Sequence, residues 1–174
     1  MSKTKEKNEW VEWGKAIFIA ILLALFLRTF IFSTSIVEGD SMAPTLDSGD
    51  RIIFNKFVYL IGEPKRSDII IIQRPAKNYV KRVIALPGET IEMNNHVLYI
   101  NGEKYEQTFI NNDAKLHTGN FGPIEVPKNS YFVMGDNRAI SKDSRNGLGF
   151  IEADNIIGKS EIIMFPFSEW SITR

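Results

Sequence analysis

A long apolar segment near the N-terminus constrains this chain more than any other feature. Between Gly14 and Phe32 the only charged side chains are those of Lys15 and Arg28. A helix over this stretch would be roughly 28 Å long, close to the hydrocarbon thickness of a bilayer. The segment therefore predicts one membrane-spanning helix over 14–32, with a short tail over 1–13 and a domain over 33–174.

The flanking charges predict the orientation of that helix. Four lysines lie on its upstream side, namely Lys3, Lys5, Lys7 and Lys15. No lysine or arginine follows Arg28 until Arg51. Because lysine and arginine are enriched on the cytoplasmic side of a span, the N-terminus is expected in the cytoplasm and the domain outside the cell membrane.

Two other interpretations fit the same segment. The uninterrupted apolar part, Ala16 to Leu27, suits the core of a cleaved secretory signal, with Ser33 and Ser35 as small residues at a cleavage site. A buried helix of a soluble protein is the third interpretation. We favour an uncleaved anchor because apolar residues resume after Arg28. The anchor and the cleaved signal both export the C-terminal domain.

Beyond residue 36 the sequence predicts an antiparallel β fold. Short β-branched and aromatic segments alternate with Gly, Pro, Asn and Asp, a pattern of antiparallel sheets rather than of βα units. The segments are 51–54, 68–73, 79–86, 90–93, 96–100, 123–126, 130–134 and 155–165. Asn101 and Gly102 suit a two-residue hairpin turn. Residues 108–123 are expected to form a surface loop or small insertion. The fold class is thus mostly β, with one N-terminal transmembrane helix.

Composition removes several classes of function. The chain has 21 basic and 21 acidic side chains, so no basic field favours nucleic acid as a partner. It has no cysteine, which excludes thiol catalysis and cysteine metal sites. Two histidines without a clustered carboxylate make a zinc site unexpected, and no motif requires an organic cofactor. No cofactor is therefore predicted.

Ser41 is a candidate nucleophile in the turn "VEGDSMAPTL", a few residues after the apolar segment. A serine hydroxyl needs a proton acceptor to attack a carbonyl at neutral pH. Neither His96 nor His117 sits beside a sequence feature that marks a catalytic triad. The alternative is that Ser41 is an ordinary turn residue.

Lys81 is the candidate acceptor. A lysine amine has a reference pKa near 10.4, so only on the order of one in a few thousand is neutral at pH 7 unless burial lowers the pKa. In "YVKRVIAL" apolar residues flank Lys81, and strand alternation would direct Lys81 and Arg82 to opposite faces. A solvent-facing lysine on an edge strand is the alternative, because most lysines are exposed.

A third polar segment, "GDNRAISKDSRNGLGF" at 135–150, follows the predicted strand 130–134. It can be a plain surface loop. It also supplies charge pairs and hydroxyls that could hold a buried lysine in place. Those side chains are Asp136, Arg138, Ser141, Asp143, Ser144 and Arg145.

The segments "GDSMAPTL", "YVKRVIALPGE" and "GDNRAISKDSR" together resemble bacterial type I signal peptidases, the membrane-bound Ser-Lys proteases that remove signal peptides. The order and approximate spacing are similar over nearly the whole chain, including the anchor. The chain looks most like the short, single-anchor forms of Gram-positive bacteria.

The resemblance implies a role for each matching residue. Ser41 would be the nucleophile and Lys81 the general base. Ser141 would orient the lysine amine, Asp143 and Arg145 would support the loop, and Asp136 and Arg82 would form a structural ion pair. Gly39 stands where some members carry a serine that helps bind the oxyanion, so here the oxyanion hole would rest on backbone N–H groups, with that of Ser41 among them.

The implied substrates are preproteins bearing signal peptides, and the lipid bilayer is the second partner. The expected state is a monomer. The alternative is a catalytically inactive, membrane-anchored homologue that acts as a binding module, and the presence of both Ser41 and Lys81 argues against it.

Overall fold

The computed structural model describes residues 9–166 and 171–173. An N-terminal helix α1 (Glu9–Phe26) continues into a π-helical turn (Leu27–Ile31) and then into a β domain. Two short helices, α2 (Val58–Ile61) and α3 (Asn112–Leu116), and a 3₁₀ turn (Ala153–Asn155) lie between strands. The strands are β1 (Phe32–Ile36), β2 (Arg51–Asn55), β3 (Ile69–Ile72), β4 (Tyr79–Ala85), β5 (Thr90–Asn94), β6 (Val97–Ile100), β7 (Glu103–Tyr105), β8 (Phe121–Glu125), β9 (Ser130–Met134), β10 (Ile151–Glu152), β11 (Ile156–Phe165) and β12 (Ser171–Ile172).

The N-terminal helix stands apart from the β domain. The helical stretch Glu9–Ile31 has a mean hydropathy of 2.1 and is long and apolar enough to cross a membrane. Its most apolar part is not buried by the rest of the described chain. Helices that are apolar on all sides are stable only when surrounded by protein or lipid. Because no residue of α1 is buried by the rest of the described chain, a core helix of a soluble protein does not fit.

The β domain consists of two antiparallel sheets. The larger has the order β1-β2-β11-β3-β4-β9-β10, with β12 added beside β11, and the smaller has the order β7-β6-β5-β8. Strands β3 and β9 are buried along their whole length, because both faces of the large sheet are covered at its centre. The prediction of a mostly β, antiparallel fold with one N-terminal helix is confirmed.

The two sheets pack through one shared apolar cluster. Met93 and Leu98 of the small sheet meet Phe132 and Met134 of β9. The turn between β6 and β7 is Asn101-Gly102, and both residues have positive φ, as a two-residue hairpin of this kind requires.

The large sheet curls so that its edge strand approaches its centre. Strands β2, β11 and β3 separate β1 from β4 in the sheet order. Nevertheless Ser41, in the turn after β1, contacts Lys81 on β4. Strand β4 pairs with β9 only from Arg82 onward, so 79–81 have no strand partner on that side among the described residues. The curl therefore leaves two strand edges beside Ser41.

Three segments differ in detail from the sequence-based expectations. The helix begins at Glu9 rather than at Gly14 and reaches Ile31 through the π-helical turn. Residues 32–36 form β1, which the predicted strand segments did not include, because Phe32 was assigned to the apolar segment and Ser33 and Ser35 fitted a cleavage site. Within 108–123, expected as a loop, the structure has α3 and the first residues of β8. The side chain of Asn111 caps α3 by accepting from the Ala114 N–H at 2.8 Å.

Candidate active site

Ser41 lies in a compact turn that follows β1. Backbone N–H groups of Ala43 and Thr45 donate to the carbonyls of Asp40 and Met42, at 3.2 and 2.9 Å. The side chains of Met42 and Leu46 are fully buried in an apolar cluster with β2 and β3. The buried pair fixes the turn to the sheet and leaves Ser41 half-buried at its surface.

Lys81 extends from β4 to Ser41. Its side chain is only 2 % exposed. The amine Nζ lies 2.6 Å from Ser41 Oγ and 2.9 Å from the carbonyl oxygen of Val80. The structure thus brings together the serine and the lysine that sequence analysis selected from segments forty residues apart.

Burial lowers the pKa of Lys81 to about 8. Desolvation of the ammonium is the main cause, and the charge of Lys77 adds to it. The carboxylates of Asp143 and Asp136 act in the opposite direction. With a pKa of about 8, roughly one amine in ten is neutral at pH 7 and can accept a proton from the serine hydroxyl.

Arg82, the next residue on β4, forms a fully buried ion pair with Asp136. Its Nε and Nη2 donate to the two carboxylate oxygens at 2.9 and 2.7 Å. The hydroxyl of Thr45 donates to the same carboxylate at 2.6 Å, which links the pair to the serine turn. Removing either charge would leave the other buried without its partner.

A second ion pair holds the end of the loop. Arg145 donates to both carboxylate oxygens of Asp143, at 2.9 and 2.8 Å. Burial raises the pKa of Asp143, but hydrogen bonds and the charge of Arg145 outweigh it and keep that pKa below its usual range. Asp143 also accepts from the Gly135 N–H at 3.0 Å, which ties the two ends of the loop together.

Gly135 makes the closest contact between this loop and the serine turn. A Cβ at this position would overlap with the carbonyl oxygen of Ser41 and with Oγ of Ser141. The Asn137 N–H donates to the same Ser41 carbonyl at 3.1 Å. The absence of a side chain at Gly135 lets the loop pack directly behind the nucleophile.

Ser141 is fully buried behind the same turn. Its Oγ has no hydrogen-bond partner of ordinary geometry among the described residues. The hydroxyl still lies close to Asp143 and contributes to the lowered pKa of that carboxyl. The Lys81 amine instead donates to Val80 and Ser41. The role of Ser141 in orienting the lysine stays a prediction.

Gly39 lies on the exposed side of the serine turn with a positive φ of 82°. Its N–H donates to Ser48 Oγ at 3.1 Å. The N–H of Ser41, by contrast, donates to no described residue. The backbone N–H of Ser41 is therefore a donor at this turn that is available to a ligand.

Two supporting residues escaped sequence analysis. Thr45 lies in the same turn as Ser41, and its hydroxyl donates to Asp136. Its position beside the candidate nucleophile could have marked it as a supporting residue. The ring of Phe109 lies 4.4 Å from the Arg82 guanidinium, a cation–π contact on the buried ion pair. Phe109 fell in a segment expected to be a loop, and nothing local in the sequence indicated that contact.

None of the residues that the structure describes forms a group of three or more His, Asp or Glu side chains able to hold a metal ion. His117 contacts Asp113, at 3.6 Å between Nδ1 and Oδ2.

A serine beside a buried lysine in an antiparallel β domain fits the class of serine peptidases, and comparison with known proteins supports that class. The sequence model described as "Signal peptidase, peptidase S26" matches residues 10–165, so the chain belongs to this family. Signal peptidase I T of Bacillus subtilis (strain 168) is 50 % identical over 98 % of this chain and 93 % of its own length. Signal peptidase I of Bacillus amyloliquefaciens is 48 % identical over 99 % and 94 %. A crystal structure of a signal peptidase I from Enterococcus faecalis V583 is 33 % identical, with a TM-score of 0.49, over 57 % of this chain and 97 % of that one.

Proposed function

We propose that this protein is a membrane-bound serine endopeptidase that removes N-terminal signal peptides from exported preproteins by a Ser-Lys dyad. The observation that carries the proposal is the 2.6 Å contact between Lys81 Nζ and Ser41 Oγ, made by a lysine that is almost fully buried. Membership in the signal peptidase family and the names of its relatives supply the substrate class.

The chemistry begins with the neutral amine of Lys81. It takes the proton of the Ser41 hydroxyl as the oxygen attacks the scissile carbonyl, and the resulting ammonium gives that proton to the leaving amine. The same amine then activates a water that hydrolyses the acyl-enzyme. The Val80 carbonyl accepts from the amine at 2.9 Å and holds it in position, and Ser41 Oγ lies 2.6 Å from Nζ, so that the hydroxyl can donate its proton to the neutral amine.

Charge that develops on the carbonyl oxygen needs a donor already in place. The backbone N–H of Ser41 donates to no described residue and lies in the turn that presents the nucleophile. Gly39 has no side-chain hydroxyl to offer. The oxyanion hole is therefore assigned to backbone N–H groups, with Ser41 as the central one.

Two unpaired strand edges beside Ser41 favour an extended substrate. Strand β1 is the outer strand of the large sheet, and Tyr79 to Lys81 lack a strand partner on the β9 side among the described residues. An extended peptide between these edges would gain main-chain hydrogen bonds, with alternate side chains directed at the protein. Signal peptides end in small-x-small sequences, which suit two shallow pockets.

The N-terminal helix is proposed to anchor the protein in the membrane with its N-terminus in the cytoplasm. Its length, its lack of buried residues and the upstream lysines support this topology. An anchor also raises the local concentration of substrates, which are themselves held at the membrane. The catalytic unit is proposed to be the monomer, because Ser41 and Lys81 both come from one chain.

The decisive experiment is cleavage of a labelled preprotein by the purified full chain in lipid, with the cut located by mass spectrometry. Ser41→Ala and Lys81→Met should each abolish cleavage after a small-x-small sequence. Ser171→Ala and Lys142→Met remove the same groups from exposed positions and serve as matched controls. Full activity in Lys81→Met would refute the dyad. Inactive wild-type protein across several preproteins would favour an inactive binding module.

Topology is tested separately by single-cysteine labelling, since the natural chain has no cysteine. Lys7→Cys marks the N-terminal tail and Lys142→Cys marks the domain. Intact cells are first freed of their cell wall and then treated with a membrane-impermeant maleimide. The reagent should label only Lys142→Cys. Labelling of Lys7→Cys alone would show the opposite orientation.

A further inference from the structure

The segment between the N-terminal helix and Ser41 is hydrogen-bonded along its length to one neighbouring segment. Strand β1 pairs with β2 over all five of its residues. Beyond β1, the Val37 N–H donates to the Asp50 carbonyl at 2.8 Å. The Gly39 N–H then donates to Ser48 Oγ at 3.1 Å. The sheet therefore holds the connection between the helix and the serine turn almost up to Ser41.

Lys56, which follows β2, fixes the other end of this connection. Its backbone N–H donates to the Ile31 carbonyl at 2.8 Å. Its ammonium donates to the Thr29 carbonyl at 2.7 Å. Both carbonyls belong to the π-helical turn Leu27–Ile31 that ends the N-terminal helix. Lys56 therefore joins β2 to the end of the helix at two points, one through its backbone and one through its side chain.

The acceptors of Lys56 are groups that need a partner. The last carbonyls of a helix have no intrahelical donor, and an unsatisfied carbonyl is costly near lipid. Leu27 accepts from the Phe32 N–H, and Lys56 supplies the donors for Thr29 and Ile31. A cation at the C-terminal end of a helix also interacts favourably with the helix dipole. The half-buried side chain of Lys56 is therefore well placed to hold the helix at one angle to the sheet.

A fixed connection sets the distance between Ser41 and the membrane. Ser41 follows Ile31 by ten residues, so the chain between them spans at most roughly 35 Å. The apolar segment of a signal peptide would lie in the same bilayer as the helical stretch Glu9–Ile31. The spacer, defined as the substrate residues between that apolar segment and the cut, must then bridge one fixed distance. An extended spacer covers only roughly 3.3 Å per residue, so a short one does not reach Ser41.

We propose that Lys56 is a specificity-determining residue that sets the shortest spacer accepted by the enzyme. The inference rests on the proposed function of the Ser41–Lys81 pair and on the proposed membrane anchor, and it adds a selection by length to them. By holding the end of the helix against β2, Lys56 keeps Ser41 at one distance from the bilayer. Without the ammonium, the domain is able to change its angle to the helix and approach the membrane.

The first test measures cleavage of preproteins that share one apolar segment and one small-x-small cut site, and differ in spacer length by single residues. The full chain is used in lipid vesicles. Spacers above a minimum length should be cleaved at similar rates, because the loop-closure cost rises only slowly with length. Below the minimum, kcat/KM should fall about tenfold for each residue removed, because the scissile bond is displaced from Ser41. A soluble peptide with the same cut site and no apolar segment serves as the control substrate.

Three variants test whether Lys56 is responsible. Lys56→Met keeps the backbone pairing and should shift the minimum to shorter spacers by at least one residue, which is about a tenfold gain just below the wild-type limit. Lys56→Arg keeps a cationic donor for the Thr29 carbonyl and should retain the limit. Lys65→Met removes an exposed ammonium from the loop after α2 and should also retain it. All three should cleave the soluble peptide as the wild type does.

A short glycine insertion between Ile31 and Phe32 tests the fixed distance without relying on one side chain. It lengthens the connection and separates the helix from the sheet. It should shift the minimum to shorter spacers by at least as much as Lys56→Met does. Cleavage of the soluble peptide should remain unchanged, because that substrate is not held in the bilayer.

The outcomes separate this inference from the proposed function. Equal cleavage of all spacer lengths by the wild type would overturn the selection by length and leave the peptidase activity intact. An unmoved limit in Lys56→Met, whether or not activity on the soluble peptide also falls, would overturn the assignment to Lys56. An unmoved limit in the insertion variant would overturn the fixed distance. Failure of the wild type to cleave the soluble peptide and every preprotein would overturn the proposed function, and the selection by length with it.

Discussion

Replacing Lys81 by methionine should stabilise the protein at neutral pH, although it removes the proposed general base. Lys81 is 2 % exposed, and its pKa falls from 10.5 to about 8 in the folded protein. Folding therefore favours the neutral amine, and protonation below the ordinary pKa opposes folding. Methionine has a similar length without the charge.

The size of the effect follows from the pKa change. A decrease of this extent corresponds to roughly 3 kcal/mol of folding free energy. Wild-type stability should be highest above pH 10.5, decline as the pH falls from 10.5 to 8, and be independent of this group below 8. The variant loses hydrogen bonds to Ser41 and Val80, at a cost of about 1 to 2 kcal/mol. The net expectation is a variant more stable by about 1 to 2 kcal/mol at pH 7 and less stable by a similar amount above pH 10.5.

Urea unfolding of the full chain in detergent, followed by circular dichroism at pH 7, 9 and 10.5, measures this difference. The N-terminal helix and all other titrating groups are common to both proteins, so the wild-type minus variant free energy isolates Lys81. Lys142→Met, at an exposed position, should differ from wild type by less than about 0.5 kcal/mol at each pH. A Lys81→Met difference that does not change with pH would show that the ammonium is not desolvated, and the argument for a neutral base would fail.

Three further predictions concern the same site. Because the pKa of Lys81 is about 8, kcat/KM should rise about tenfold per pH unit below 8 and level off above it, as a pH–rate profile would show. Asp136→Asn leaves the guanidinium of Arg82 buried without its counter-charge, so unfolding experiments should show a loss of about 3 to 5 kcal/mol. Gly135→Ala places a methyl group against the Ser41 carbonyl, and should lower kcat while costing about 1 to 3 kcal/mol of stability.

Matched substitutions elsewhere make these results interpretable. Gly119→Ala adds the same methyl group where nothing lies within 4 Å, and should leave kcat unchanged. Asp154→Asn removes an exposed carboxylate and should change stability by less than about 0.5 kcal/mol. A pH–rate profile that is flat between 6 and 9, or a Gly135→Ala variant with wild-type kcat, would contradict the geometry described here.

The strands were predictable because their signals are local, whereas the roles of Ser41 and Lys81 came from the family resemblance. Segments such as 68–73 and 79–86 are β-branched, apolar and bounded by turn residues, and they form β3 and β4. Lys81 was a candidate because apolar residues flank it, but its segment alone fitted an exposed edge-strand lysine equally. Strand β1 was not among the predicted strand segments, because three of its five residues are Ser or Thr and it directly follows the apolar N-terminal segment.

The contacts that organise the site could not be predicted, because they join distant parts of the chain. Thr45 and Asp136 are 91 residues apart, and Arg82 and Asp136 are 54 residues apart. Hydrophobic periodicity is a property of short segments, so it cannot predict a contact between residues this far apart in the sequence. Only the family resemblance suggested that Arg82 and Asp136 meet, and the structure adds Thr45 and Phe109 to them.

The ion pairs around Lys81 explain how two nearby carboxylates are compatible with a lysine of lowered pKa. Asp136 and Asp143 each raise the pKa of Lys81, so alone they would keep the amine protonated. Arg82 and Arg145 occupy both oxygens of these carboxylates and offset their charge. Desolvation then has the largest effect on the pKa of Lys81, and the amine can release its proton near neutral pH. The two arginines therefore support the proposed base indirectly, by neutralising the carboxylates that would otherwise hold its proton.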